Sequence, residues 1–343
     1  MYTLKNINQL TINKGQKISD AIKKINASKI KIVFVINKNK KLLGSISSGD
    51  IRRSIRNKID QNSYVETIMF TKTRFIYDKY EKKLNEKYFN DYILCIPVVN
   101  KNKILKYFKI IKKPLNKKSN TIFLMAGGKG KRLYPLTKDT PKPMLKIKKV
   151  PIIEKIIIEF KNQGFSNFII SVNYLASKIK NYLGNGRKFG VNIKYINEKK
   201  YLGTAGSLSL PQYKNLNSPI IVANSDLISE VDYSNLLDYH NIRKADLTIC
   251  AINKIFEMPY GEIVLKNVKV KKIIEKPVTN NLVNAGIYVI SKNILRGLKK
   301  NKRLMMNDFI THLIKRKKNI LSYPIHENWI DIGNKLDLYR ARK

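Results

Sequence analysis

The sequence of 343 residues predicts an α/β protein, with a mainly parallel sheet covered by helices on both faces and preceded by a smaller α+β region. Three observations predict it. Apolar strand-like runs alternate with amphipathic helix-like runs from Thr121 onward, and the first of those strands breaks directly into a glycine-rich loop. A strand–turn–strand pattern near the N-terminus recurs from Asn37 to Asn100, an offset of 63 residues. The length also exceeds what one hydrophobic core usually serves, so two domains are expected.

In chain order, Ala21, Ile22 and Ile25 fall at helical spacing from about Asp20. Residues 30–36 read as a strand, Asn37-Lys38-Asn39-Lys40 as a polar turn and residues 42–46 as a second strand. Ser47-Ser48-Gly49-Asp50 then caps a further helix around Ile51. The unit is helix, hairpin, helix. Its hairpin returns as strand 93–99, turn Asn100-Lys101-Asn102-Lys103 and strand 104–111, so two copies are expected to pack together over residues 1–112. Residues 113–120 contain one proline and almost nothing apolar, and read as a linker. The larger domain then occupies 121–343.

Within that domain, residues 121–125 form a buried strand ending at the glycine loop. Residues 151–163 read as a helix, apolar at Ile152, Ile153, Ile156, Ile157 and Phe160 and stopped by Gly164. A strand at 167–173, a helix to about Leu183, a strand at 191–197, a helix after Gly206 and a strand at 219–224 follow. In such sheets, ligands bind beyond the carboxyl ends of the strands, where the glycine loop sits.

Composition narrows the function. Sixty-eight Lys and Arg against 24 Asp and Glu give a net charge of +44, but the lysines are scattered together with Asn and Ile, as AT-rich coding produces, rather than massed in one stripe. A nucleic-acid partner is therefore not expected, although the positive field helps to collect anionic substrates. Cys95 and Cys250 lie in apolar runs and read as buried free thiols; His240, His312 and His326 lack the companions zinc needs. No apolar run reaches the length of a membrane span, and the N-terminal residues have no signal-peptide core. A cytoplasmic protein is expected.

The chemistry concentrates after residue 125. Glycines directly after a strand let several backbone N–H groups approach one anion. Ala126, Gly127, Gly128, Lys129, Gly130, Lys131 and Arg132, with Lys142 close behind, make a cradle suited to polyphosphate. It is not a Walker A loop, because Arg132 follows Gly130-Lys131, and it lacks the third glycine of a dinucleotide fingerprint, since Leu133 stands there.

The run from Met125 to Thr137, followed by Pro141-Lys142-Pro143-Met144-Leu145, resembles the signature of sugar-1-phosphate nucleotidyltransferases, approximately L-A-G-G-x-G-T-R-L-x-P-L-T and P-K-P-[LM]-L. Lys131 departs from it, standing where the family usually has Thr. The resemblance implies a Rossmann-like, glycosyltransferase-A-like domain. In that chemistry a sugar phosphate oxygen attacks the α-phosphorus of a nucleoside triphosphate, so the protein must neutralise charge and hold the attack in line. By resemblance, Arg132 binds the triphosphate and Lys142 contacts the α-phosphate.

The reaction needs a divalent ion, Mg2+, which takes one or two carboxylates plus phosphate oxygens. Asp226, at the end of a buried strand, and Asp331, in the family's late W-x-D-[IV]-G element, are the expected ligands. Three further stretches resemble the family's sugar and base sites: Glu198 with Gly203 in Leu202-Gly203-Thr204-Ala205-Gly206-Ser207, set against either the nucleoside or the sugar; Glu275 and Lys276 in Glu275-Lys276-Pro277, for sugar hydroxyls and the sugar phosphate; and Asn284 in Asn284-Ala285-Gly286-Ile287-Tyr288.

Residues 44–51 and the duplicated hairpins resemble a tandem pair of CBS domains, which implies an adenine nucleotide held by Ser47 and Asp50; the same two residues serve equally as a helix cap in a pair devoted to dimerisation. The P-K-P-M form and the CBS fusion resemble guanylyltransferases. They imply GTP and glucosamine-1-phosphate as substrates, in a homo-oligomer serving surface glycan or nonulosonic acid synthesis, with mannose-1-phosphate guanylyltransferase as the alternative. A nucleotide sensor without catalysis is the alternative of another class.

Overall fold

The computed structural model describes residues 1–89, 94–111, 116–210 and 216–342, and the chain divides into two compact units, Met1–Leu115 and Asn116–Lys343. Among the described residues no helix is long and apolar enough to cross a membrane.

In the smaller unit the strands are β1 (Tyr2–Leu4), β2 (Thr11–Asn13), β3 (Ile32–Ile36), β4 (Leu42–Ser47), β5 (Ile76–Tyr77), β6 (Cys95–Val99) and β7 (Leu105–Ile110). Helix α1 (Ile18–Ala27) precedes the β3–β4 hairpin and α2 (Ser48–Arg56) follows it, as the spacing of Ala21 and Ile25 predicts. The strands form two sheets, ordered β2-β3-β4 and β1-β7-β6-β5.

The duplicated turns are the same structure twice. Asn37 Oδ1 accepts from the N–H of Asn39 and Lys41, and Asn100 Oδ1 from those of Asn102 and Ile104. The two turns also meet. Leu42 N donates to Lys103 O and Leu105 N to Lys40 O, both at 2.9 Å, while Phe34 stacks on Phe108 with centroids 4.9 Å apart. The flanking helices do not recur among the described residues: short 3-10 turns at Asp78–Lys83 and Glu86–Tyr88 precede the second hairpin. The expected start of its first strand at residue 93 and most of the expected linker, 112–115, lie outside the described residues.

In the larger unit β8 (Lys118–Ala126) starts earlier than its apolar run, because Lys118 pairs with Phe165. A small β9 (Lys146–Ile147) and β10 (Val150–Pro151) lead into α3 (Ile152–Asn162), then β11 (Phe165–Val172), α4 (Ala176–Leu183), β12 (Asn192–Asn197) and α5 (Gly203–Gly206). The helix expected after Gly206 is instead α5 itself and a 3-10 turn at Ser207–Ser209. The N–H groups of Ala205 and Gly206 are captured by Leu304 O, a tertiary partner that sequence periodicity does not reveal. The rest of that expected helix, 211–215, lies outside the described residues.

The chain continues through β13 (Ile220–Asn224), β14 (Leu227–Ser229), α6 (Tyr233–Ile242), β15 (Leu247–Glu257), β16 (Glu262–Lys266), β17 (Lys269–Ile274), β18 (Val278–Ile290), α7 (Lys292–Leu295), α8 (Met306–Lys315), β19 (Ile320–Ile325), β20 (Trp329–Asp331) and α9 (Lys335–Arg342).

The main sheet is ordered β12-β11-β8-β13-β18-β15-β19. It is mainly parallel, as expected, with β18 antiparallel to both neighbours. Alternation along β8 divides its side chains between two cores. Ile122 and Leu124 join the core that holds residues of α3, α4, α6 and α9; Phe123 joins the one that holds residues of α5, α7 and α8. Helices therefore cover both faces, and the carboxyl ends of β8 and β13 come to one edge.

Candidate active site

Strands β8 and β13 are parallel neighbours, with Met125 opposite Asn224, so the glycine loop and Asp226 emerge side by side. Ser225 reinforces the junction, its hydroxyl donating to Met125 O at 2.6 Å. In the loop Gly130 has φ +63°, and a Cβ there would meet Thr137 Cγ2 at 3.0 Å and Lys142 Cβ at 3.1 Å. Only glycine fits that turn. A Cβ on Gly127 would meet Glu198 Oε1 at 2.7 Å, whereas one on Gly128 would meet nothing within 4 Å. Gly128 thus faces open space, where a ligand backbone can approach.

Pro141, Lys142 and Pro143 form a tight turn, with Met144 N donating to Pro141 O at 2.7 Å. This turn buries Lys142 to 9% exposure and aims its ammonium at Asp226, with which it is ion-paired. The other carboxylate oxygen of Asp226 is buried and has no hydrogen-bond partner. Asp331 lies beside it because β14 and β20 pair antiparallel, matching Leu227 to Asp331, and because Ile332 N donates to Asp226 O at 3.1 Å. Burial and then the charge of Asp226 push the Asp331 carboxyl above its ordinary range, against the pull of Lys142 and Arg132. Gly333 keeps this corner open: a Cβ there would sit 3.6 Å from Arg132 Nη1 and 3.7 Å from Asp331 Oδ2.

An orphaned buried carboxylate oxygen beside a second carboxylate that resists ionising is a donor set suited to a divalent cation. Among the described residues no third metal-binding side chain joins them, so a cation held by the pair would need phosphate oxygens or water to complete its coordination.

Two clefts meet here. The larger, about 650 Å3, is lined by Ala126, Gly127, Gly128, Lys129, Gly130, Lys131, Arg132, Lys142, Glu198, Gly203, Asp226 and Arg303. The smaller, about 260 Å3, is lined by Asn284, Gly286, Tyr288, Trp329 and Asp331, and both include Thr204 and Asn224. The structure thus brings the glycine loop, Arg132, Lys142 and the two aspartates together.

Gly203 (φ +79°) turns within 2.5 Å, measured from its Cβ position, of Leu304 O; it borders the larger cleft rather than the smaller. Asn284 is held by two bonds at 2.9 Å, accepting from Gly286 N and donating to Tyr288 OH. A bulge fixes this spot: Ile249 pairs with Tyr288 but Ala251 with Asn284, so three residues of β18, including Gly286 at φ +71°, face one of β15. Glu275 and Lys276 are not brought in. They are exposed, follow β17 and line neither cleft.

Arg303 escaped the sequence reading because one arginine among 68 basic residues carries no local mark. Glu198 is buried to 7% exposure, accepting from Ser171 Oγ and from Leu202 N at 3.0 Å; its contact with Gly127 is tertiary.

In the smaller unit, Ser47 and Asp50 form a capping box at the start of α2. Asp50 also pairs with Arg53, so the helix cap accounts for both side chains.

Residues 122–343 match the family model described as nucleotidyl transferase, and the chain belongs to that family. Residues 5–57 match the CBS domain, a span that covers the first of the two hairpins. Curated relatives include the mannose-1-phosphate guanyltransferases of Pichia angusta, 32% identical, and Saccharomyces cerevisiae, 30% identical, each over 226 residues and 62% of this chain. The chain spans 61% of the length of these relatives. Among solved structures, HddC from Yersinia pseudotuberculosis matches with a TM-score of 0.53 and 27% identity over 65% of this chain and 98% of its own. Its complex with GMP-PN matches at 0.53 and 25%, with the same coverage.

Proposed function

We propose that the protein transfers a guanylyl group from GTP to a hexose-1-phosphate, releasing pyrophosphate. The observation that carries this reading is the meeting of a basic, glycine-lined cleft that holds Asp226 with a smaller, mostly uncharged cleft that holds Asp331. One cleft suits a triphosphate and the other a sugar, with the phosphates of both converging on the carboxylate pair. Loop N–H groups and Arg132 offset the triphosphate charge and favour departure of pyrophosphate. Lys142 turns from Asp226 to the α-phosphate as the sugar phosphate oxygen attacks phosphorus and the P–O bond to pyrophosphate breaks. Asp226 and Asp331 would hold Mg2+, which would supply charge neutralisation at those phosphates. Asn284, fixed by Tyr288, is placed to read a sugar hydroxyl.

Glu198 favours guanine. Its carboxylate accepts hydrogen bonds only, and guanine presents an N1–H and an exocyclic amine as adjacent donors. The names of the curated relatives, and GMP-PN in the HddC complex, support the same base. They favour mannose-1-phosphate as the first sugar to test, ahead of the glucosamine-1-phosphate expected from the CBS fusion.

The test is pyrophosphate release, with Mg2+, from each of the four nucleoside triphosphates against mannose-, glucosamine- and glucose-1-phosphate. Release with GTP and one sugar is the expected result. Release only with another base overturns the reading of Glu198, and nucleotide binding without release from any pair leaves a sensor rather than an enzyme.

A further inference from the structure

Beyond the bulge at Gly286, β15 and β18 run on as a ribbon from the Ala251–Asn284 pair to the Glu257–Val278 pair. Between the start of this ribbon and α8 lies a third groove, of about 350 Å3. Its floor follows from register and periodicity. Ile249 and Ala251 are two residues apart on β15 and so share a face, and Ser322 of β19 is the partner of Ile249. Asn307, Ile310 and Thr311 are spaced three and four apart on α8 and turn one stripe toward that face. Ile249 packs against the second core while only partly buried, and Leu282 at the groove's outer wall is 48% exposed. The groove adjoins the smaller cleft, because Asn284 and Asn307 line both.

On the function proposed above the smaller cleft takes the sugar, so what passes the two asparagines into the groove is a substituent of the sugar ring. The lining selects its chemistry. Among the described residues no ionisable side chain lines the groove, so a free ammonium or carboxylate gains no counter-charge there. A second sugar ring would set its hydroxyls against Ile249, Ala251, Leu282 and Ile310. An acylamino group matches both parts of the groove. Its carbonyl can accept from Asn307 Nδ2 and its N–H can donate to Asn307 Oδ1 at the mouth, while its alkyl tail covers the apolar floor. We propose that the substrate is a hexose-1-phosphate bearing an acylamino substituent, and that this groove reads the acyl tail. The inference rests on the enzymatic reading and adds to it the class of sugar. The acyl group takes no part in the bond changes at phosphorus; it holds the ring in place.

The test is pyrophosphate release by the full chain, with Mg2+ and the four nucleoside triphosphates in turn, from hexose-1-phosphates that carry a hydroxyl, a free amine, an acetamido or a butanamido group at C2, C4 or C6. At one position the acetamido sugar is expected to exceed its hydroxyl and amino forms roughly tenfold or more in kcat/KM, as filling an apolar pocket with one small group does. The butanamido sugar should be accepted at least as well. Thr311→Trp fills the groove from an exposed site; it should abolish that gain and leave turnover of the unsubstituted hexose-1-phosphate unchanged, which also verifies its fold. Thr311→Val should keep both. Turnover of plain sugars with no gain from an acylamino group at any position overturns the proposal and leaves the enzymatic reading standing, as does a gain that survives Thr311→Trp. Release from no sugar with any triphosphate overturns the enzymatic reading and this proposal with it.

Discussion

Lys142 is ion-paired with Asp226 across 84 residues of sequence, and the second oxygen of that aspartate is buried without a partner. On the function proposed above, the lysine therefore occupies part of the position that a divalent cation and a triphosphate would share. Removing it leaves Asp226 without its ion-pair partner and only Arg132 to offset Asp331. Lys142→Met should bind Mn2+ more tightly than wild type in the absence of nucleotide, measured by titration calorimetry, and lose roughly 100- to 1,000-fold in kcat. Asp226→Asn should weaken Mn2+ binding and abolish turnover while the fold persists. Unchanged Mn2+ affinity in both variants would remove the pair from the metal site.

Gly127 and Gly128 separate fold from ligand. A Cβ on Gly127 collides with Glu198, whereas one on Gly128 meets nothing within 4 Å. Gly128→Ala is expected to keep the wild-type unfolding midpoint yet bind nucleoside triphosphate at least several-fold more weakly. Gly127→Ala should be impaired in both. Thermal unfolding with and without GTP separates the two effects.

The capping box on α2 makes Asp50 a stability residue of the smaller unit. Asp50→Ala should cost about 1 kcal/mol in urea unfolding of that unit. AMP that raises the unfolding midpoint of wild type but not of this variant would add a nucleotide-binding role to the cap.

His240 is a buried neutral base in the larger unit. Its Nε2–H donates to Ser291 Oγ, which itself donates to Ala245 O, and its Nδ1 accepts from Thr248 Oγ1. Burial lowers its pKa from 6.5 to about 4, against a small opposing effect of Asp246. A base with a depressed folded pKa contributes stability that is present above 6.5 and lost as pH falls toward about 4. Urea midpoints should therefore fall across that window in wild type, and less steeply in His240→Gln, which starts from a lower value at neutral pH.

What the sequence reveals follows the range of the interactions. The helix of Ile152, Ile153, Ile156 and Phe160, the strand into Gly127 and the twin turns at Asn37 and Asn100 are local patterns, and each is found where periodicity or turn chemistry puts it. The glycine loop, Arg132 and Lys142 are close in sequence, and the structure places them around one cleft. The pairing of Leu227 with Asp331, the burial of Glu198 behind Gly127 and the cleft position of Arg303 join segments far apart in the chain, and nothing local announces them. Glu275 and Lys276 show the converse: their motif reads as a site, yet they follow β17, are exposed and line neither cleft.

The bulge at Gly286 has a consequence for how this chain can change over generations. Tyr288 keeps its partner Ile249 whatever happens on the far side of the three unmatched residues, so paired additions or losses in the ribbon leave the catalytic end of β18 in register. The outer ribbon can thus be lengthened, shortened or redecorated without resetting Tyr288, which lies on the inner side of the bulge.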